Sequence, residues 1–311
     1  MPPGQALPRA PDPHFRVRGS DLSGQSGCMV GEHRGRSLRR AEQYIGIDGL
    51  ALLRLYRYDD ASVADDILVE LRALLDGLEV GDARLDVHGA QLDVPAGYAR
   101  WAAVYDQPGN LLVAHEEPIV HAMLERLEGE PVLDVGCGTG RHLAWLCGQD
   151  RRVIGVDQSP QMLAEAAAKV PGSDLRVGDL VDLPVEPVSV AGVICALTLE
   201  HLPDLDVVFR EFARVVAPGG WIVTSCLHPL IAQVLGWNPW FRDDDGRGDV
   251  ESYLHSVSDY INAAVSAGLQ VEECVEIPIE LTEPPPDEVA IGSPIAHDGL
   301  PLILVMRFVR P

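Results

Sequence analysis

The sequence predicts an α/β fold: a seven-stranded, mostly parallel sheet covered by helices, with an antiparallel last strand and a helical segment ahead of it. Three observations carry this. From Pro131 onward, short apolar runs alternate with amphipathic stretches over short loops, the pattern of parallel strands joined by helices. Glycines spaced G-x-G-x-G separate the first of these strands from the first helix in "VLDVGCGTGRHLAWL", Val132 to Leu146. Residues 41–95, before the alternation begins, carry apolar residues mainly at helical spacing.

The elements follow in order. "PVLDV" reads as a buried strand and "RHLAWLC" as a helix. "RVIGVD" is a strand, "SPQMLAEAAAKV" a helix capped by Ser159, and "DLRVGDL" a strand. "VAGVICAL", "LDVVFREFARVV" and "GWIVTSCL" repeat strand, helix, strand. "VSDYINAAVSAGL" is a late helix, and "QVEECVEI" with "LPLILVMRFV" form a closing hairpin that makes the sheet mixed.

Upstream, residues 41–80 predict two amphipathic helices. The second has Leu68, Leu71 and Leu75 on one face and Gly77 near its end. Gly81 to Pro95 is expected to be a connection. "AGYARWAAVYD" then opens a helical stretch that runs on through "LLVAHEEPIVHAMLERL". Residues 1–40 are rich in Pro, Gly, Arg and Ser without periodicity, and a disordered tail is expected there. The expected organisation is a 1–40 tail, a 41–95 helical segment and a 96–311 α/β domain. The amphipathic faces of 41–95 must pack on something. A lid over the ligand site is the favoured reading, and a contact in a homodimer is the alternative.

Bulk properties exclude several classes. The formal net charge is −23, which repels phosphate backbones and argues against a nucleic-acid partner. The basic residues are almost all Arg, Lys169 being the lone lysine, and seven of the arginines fall within residues 1–40. Six cysteines are scattered without a C-x-x-C, so neither a disulfide framework nor a metal site is expected. No apolar run has the length of a transmembrane helix, and acidic residues after "SLRR" spoil a signal-peptide reading. A cytoplasmic protein with no membrane partner is expected.

A glycine turn between strand and helix lets the backbone come close to a ligand that side chains would exclude. In an open α/β sheet that ligand lies at the C-terminal ends of the strands. Gly136, Gly138 and Gly140 supply the turn, but the spacing is not the G-x-G-x-x-G of dinucleotide binders. Asp134, two residues before Gly136, suits an amine rather than a pyrophosphate. Asp157 ends the second strand, where an acid grips two ribose hydroxyls. Asp179 ends the third strand and can accept from an adenine amino group. An amine, a diol and an adenine without phosphate describe S-adenosyl-L-methionine.

The stretches "VLDVGCGTGR", "VIGVDQSPQML", "VGDLVDLPV", "LEHLPDL" and "RVVAPGGWIV", in this order, resemble class I S-adenosylmethionine-dependent methyltransferases of the small-molecule type. That resemblance implies a Rossmann-like sheet. It implies that Asp134 and the glycine loop, Cys137 included, hold the methionine end, together with the backbone at Ala196 and Leu197. Asp157, with Gln158 and Met162 after it, lies at the ribose, and Asp179 with Leu180 lies at the adenine edge. Tyr98 and Tyr105 match an N-terminal aromatic element that closes over the cofactor.

Methyl transfer from a sulfonium mainly demands alignment and exclusion of water, with a base where the acceptor is a hydroxyl or a protonated amine. Candidates follow the fourth and fifth strands and open the late helix: Glu200 and His201, then His228, then His255 with Asp259 to orient its ring. His228 is the first choice for the base and Glu200 the fallback. Trp237, Trp240 and Phe241 are expected to wall an apolar acceptor pocket, with "RDDDGRGD" as a solvated loop tip. The expected activity is methylation of a small-molecule acceptor. The alternative is a protein of the same fold that binds the cofactor for a non-methylating or regulatory role.

Overall fold

The computed structural model describes residues 40–55, 61–79, 89–107, 110–279 and 296–311, so the predicted 1–40 tail lies, save its last residue, outside the described residues. Two helices come first, α1 (Arg40–Arg54) and α2 (Ala61–Glu79). The face of α2 that packs runs through Val63, Ile67 and Leu71, whereas Leu68 and Leu75 are exposed. The expected Leu68–Leu71–Leu75 stripe is therefore turned by one residue toward Ile67, which is 2% exposed beside Ile47 and Ala51 of α1.

The predicted connection up to Pro95 contains a short strand, β1 (Ala90–Leu92), and leads into α3 (Val94–Trp101). Asp93 caps α3 by accepting from Ala96 N at 2.8 Å. The single helical stretch expected beyond it is broken. A 3-10 turn ends at Val104, and α4 (Leu111–Leu124) starts anew with Asn110 accepting from Val113 N at 3.3 Å. Pro108 and Gly109 fall in this gap, and proline disfavours helical backbone at the residue before it.

Strand–helix alternation then follows as predicted: β2 (Val132–Val135), α5 (Arg141–Gly148), β3 (Val153–Asp157), α6 (Pro160–Lys169), β4 (Asp174–Val177), β5 (Val190–Ala196), α7 (Leu205–Val215) and β6 (Val216–Leu227). Next come α8 (Pro229–Leu235), β7 (Trp240–Asp243), β8 (Gly246–Val250), α9 (Val257–Ser266), β9 (Gln270–Pro278) and β10 (Pro301–Val309). The main sheet has seven strands in the order β4-β3-β2-β5-β6-β10-β9. Its β2–β6 pairings are parallel, and β10 runs antiparallel to both β6 and β9.

Alternate strand residues feed two apolar clusters. Leu133, Val193, Ile222 and Leu304 join α7 and α9 on one face, where α7 buries Leu205, Val208, Phe209 and Phe212. Val132, Ile194, Val223 and Ile303 join α1, α4, α5 and α8 on the other. Strand order reverses at β2, flanked by β3 and β5, which places a crevice at their C-terminal ends.

A second, three-stranded sheet of order β1-β8-β7 was not expected from the sequence. The "RDDDGRGD" stretch spans the end of β7, the turn and most of β8 rather than a loop tip alone, with Gly246 at φ 102° closing the turn. Gly97 of α3 lies so close to Val250 that a Cβ there would meet its side chain at 2.8 Å, which seats α3 on this sheet. No helix among the described residues is long and apolar enough to cross a membrane.

Candidate functional site: two cavities at the strand switch

The loop after β2 turns through Gly136 at φ 67° and Gly138 at φ 53°, values that side chains rarely adopt. A Cβ on Gly136 would strike Thr198 at 2.6 Å. A Cβ on Gly138 would meet nothing within 4 Å and would stand in open space. Both glycines line a cavity of about 220 Å³, together with Asp157, Gln158, Met162, Asp179, Leu180, Ala196 and Leu197. Tyr98 and Tyr105 reach it from the α3 segment, and His201 from after β5. Eleven of the fourteen residues expected around the cofactor thus share one cavity.

The other three sit behind it. Gly140 packs against Ala166 of α6, and Cys137 is buried beside Gly155. Asp134 is buried beneath the loop. The Leu143 backbone N–H donates to its carboxyl, while its Oδ2 has no partner. Burial pushes this carboxyl up to about 6, against the pull of His142 and Arg141. An unsatisfied, desolvated carboxylate oxygen below a glycine cradle is what an ammonium-bearing ligand end would complement. Asp157 holds the loop itself, accepting from Gly138 N and Ser159 N, each at 2.8 Å. The open cavity above Gly138, the acids at the ends of β3 and β4, and the orphaned Asp134 oxygen fit S-adenosylmethionine.

Tyr98, Tyr105 and Leu197 also line a second cavity of about 270 Å³. Its walls are aromatic. Trp101 stacks on Phe241 at 5.3 Å and on Tyr98 at 5.6 Å, and Trp237 and Trp240 complete the lining. The expected aromatic wall is present, and Trp101 is an addition that its helical context concealed. Gln43 of α1 also lines this cavity, and its Nε2 donates to the Leu235 carbonyl at 3.3 Å. Leu197 stands where the two cavities meet, with φ 50°, an uncommon conformation for a non-glycine residue. Its N–H is held by the Ser225 carbonyl at 2.9 Å.

Of the four candidate catalytic residues, only Glu200 lines the aromatic cavity. It is the single carboxylate among the residues lining it. Burial pushes Glu200 up to about 7, backbone N–H groups offsetting part of the cost, and its Oε2 has no partner. His201 lines the first cavity. Its Nδ1 lies 2.7 Å from the Glu251 carbonyl, an acceptor only, so Nδ1 carries the proton and Nε2 accepts from the Tyr98 hydroxyl at 2.7 Å. Burial lowers its pKa to about 4, which keeps the ring neutral.

His228 lines neither cavity. Its Nδ1 caps α8 by accepting from Leu230 N at 3.1 Å, and its Nε2 donates to Glu276 at 3.0 Å. His255 is likewise turned away, its Nε2 donating to the Leu202 carbonyl at 2.8 Å. Asp259 does not orient that ring. Its carboxylate accepts from Ser256 N and Oγ in a capping box.

Two features around the site carry no signal in the sequence. Fully buried Glu116 of α4 accepts from Arg141 at 2.6 Å and from Ser225 Oγ at 2.7 Å. Burial acts to raise its pKa, but Arg141 and His142 outweigh that and hold it at about 2. Ser225 Oγ in turn accepts from Leu197 N at 3.2 Å, so this ion pair braces the shared wall. In front, Asp106 accepts from Thr139 Oγ1 and from Lys169, each at 2.8 Å, tying the Tyr98–Tyr105 segment to the glycine loop. Among the described residues no group of His, Cys, Asp or Glu is arranged to hold a metal ion.

Known proteins are similar to this chain in sequence and in fold. A family model for a methyltransferase domain matches residues 133–224. A protein of Emericella nidulans described as a methyltransferase is 33% identical over 216 residues, 56% of this chain and 74% of its own length. The malonyl-[acyl-carrier protein] O-methyltransferase of Yersinia pestis is 31% identical over 161 residues, 52% of this chain and 59% of its own. In fold, the complex between the Haloferax volcanii Trm112 methyltransferase activator and a methyltransferase is similar with a TM-score of 0.56 at 23% identity, over 70% of this chain and 97% of that one. With these relatives and this sheet, the chain belongs to the class I S-adenosylmethionine-dependent methyltransferases.

Proposed function

We propose that this enzyme methylates a hydroxyl or amine of a small acceptor bound in the aromatic cavity, with Glu200 as the base. The observation that carries the reading is the place of Glu200: a buried carboxyl at about 7, alone of its kind in a cavity that shares Tyr98, Tyr105 and Leu197 with the glycine-loop cavity. In this reading Asp134, Gly136 and Gly138 hold the methionine end of the cofactor. Asp157 takes the ribose hydroxyls, and Asp179 with Leu180 takes the adenine edge. The cofactor supplies a methyl group already activated by a positive sulfur. What remains for the protein is to align the acceptor, exclude water and remove a proton.

Glu200 removes the proton. A carboxylate near 7 matches the operating pH far better than an ordinary one, and its unpartnered oxygen is free to accept. The aromatic walls exclude water and align a flat acceptor. Neutral His201 is a positioning residue, holding the Tyr98 hydroxyl over the wall common to both cavities. The α1 helix, through Gln43, serves as part of the acceptor-site cover, which favours the lid role for residues 41–95. The test is Glu200→Gln, followed by S-adenosylhomocysteine release with a hydroxyl or amine acceptor. Turnover should fall about 100-fold, the usual scale of a lost general base, with cofactor affinity unchanged. Wild-type activity should rise with pH through about 7, as the carboxylate form appears. Turnover within a few-fold of wild type would leave alignment without a base.

A further inference from the structure

The β7–β8 hairpin register sets Arg242 directly opposite Arg247, and Trp240 opposite Asp249, so these four side chains share one face of the ribbon. Like charges directly opposite each other are unfavourable unless neutralised. One is. Asp249 accepts from Arg247 Nε at 2.8 Å, and the Arg247 guanidinium lies 4.7 Å over the Trp240 ring. Asp249 is itself 6% exposed and also accepts from Gln91 at 3.2 Å, so its carboxylate is committed. Asp243 is turned to the other face, where it takes Arg100. Among the described residues no carboxylate pairs with Arg242. Exposed Arg72 and Arg210 also lack a carboxylate partner among the described residues, but neither lines the aromatic cavity, as Arg242 does.

Both arginines line the aromatic cavity, and Arg242 is exposed, at its rim, whereas Glu200 is buried on its inner wall. We infer that the acceptor is an arene carrying a carboxylate, which docks on Arg242 beside Arg247 while its hydroxyl or amine faces Glu200. This rests on the reading of the aromatic cavity as the acceptor site. A planar carboxylate matches the guanidinium fork in two parallel hydrogen bonds. It would also relieve the cross-strand repulsion. The acidic neighbours Asp244 and Asp245 at the hairpin tip favour a monoanion over a more highly charged phosphate.

The test uses three matched probes with S-adenosylhomocysteine at saturation: 6-hydroxy-2-naphthoate, its methyl ester and 2-naphthol, each titrated calorimetrically into wild type and Arg242→Gln. The wild type should bind the acid about 10-fold more tightly than either neutral probe, the scale of a charge-assisted pair. In Arg242→Gln the three affinities should converge to within about twofold, with S-adenosylhomocysteine affinity unchanged. Equal binding of acid and ester by the wild type, or a preference that survives in the variant, overturns the carboxylate inference alone. If S-adenosylhomocysteine binds but none of the three probes does, the acceptor-site reading falls with it.

Discussion

The Tyr98 hydroxyl donates to Nε2 of His201 at 2.7 Å, across 103 residues of sequence, and the rings meet edge to face at 5.1 Å. This pair joins the α3 segment, which lines the glycine-loop cavity, to the loop after β5. Because Nδ1 is committed to the Glu251 carbonyl, His201 has one acceptor to offer and Tyr98 fills it. Tyr98→Phe removes one neutral hydrogen bond, so S-adenosylhomocysteine should bind about 2–10-fold more weakly. The pH profile should not move, because His201 is already neutral above about 4. Calorimetry and a pH–rate profile together check this. A shifted profile would mean that His201 titrates in turnover.

In the proposed function Asp134 gives up stability for binding. Its folded pKa of about 6 stands above the ordinary 3.8, so the folded chain binds more protons than the unfolded one between those values and stability falls as pH rises through that window. Above pH 6 the full cost is present, on the order of 3 kcal/mol. Asp134→Asn should therefore raise the melting temperature of the ligand-free enzyme at pH 7.5, and raise it less at pH 5. The same variant should bind S-adenosylhomocysteine at least about 10-fold more weakly, having lost a charged partner for its ammonium. A lowered melting temperature at pH 7.5 or full affinity would contradict this.

His228 lines neither cavity, and its place in the chain accounts for this. It does follow β6, at the end of the sheet where ligands bind, but a proline next in line starts α8 and the imidazole turns to cap it. His228→Ala should cost about 1 kcal/mol of stability, the value of a lost helix cap, and should leave turnover within about threefold. Chemical denaturation and an initial-rate assay measure the two effects. A 100-fold loss of turnover without loss of stability would restore His228 to the chemistry.

The sheet was legible because its signals are local. Each strand is a short apolar run, each helix an amphipathic one, and Gly136 and Gly138 announce a turn that no other residue makes cheaply. Asp157 could be placed because it is the last residue of β3, and Asp179 because it follows β4 by only two residues. The β1–β8–β7 sheet was not legible: Ala90 pairs with Gly248, far along the chain, and β8 is Gly-Arg-Gly-Asp with Val250 its one β-forming residue. Nor was Glu116, whose buried pairing with Arg141 depends on how α4 docks. Histidines drew attention by their usual chemistry, yet neutral His201 and capping His228 are held by backbone groups. Burial, a tertiary property, is what sets Glu200 apart.

In the proposed function the glycine-loop cavity holds the cofactor and points its reacting end at the aromatic cavity. A crystal structure of the enzyme with S-adenosylhomocysteine would read this out in the positions of the ribose and the sulfur. The ribose hydroxyls are expected on the Asp157 carboxylate and the ammonium on the Asp134 side. The sulfur should lie at the wall formed by Tyr98, Tyr105 and Leu197, facing Glu200. Adenosine lodged among Trp101, Trp240 and Phe241, or a sulfur turned away from Glu200, would contradict it.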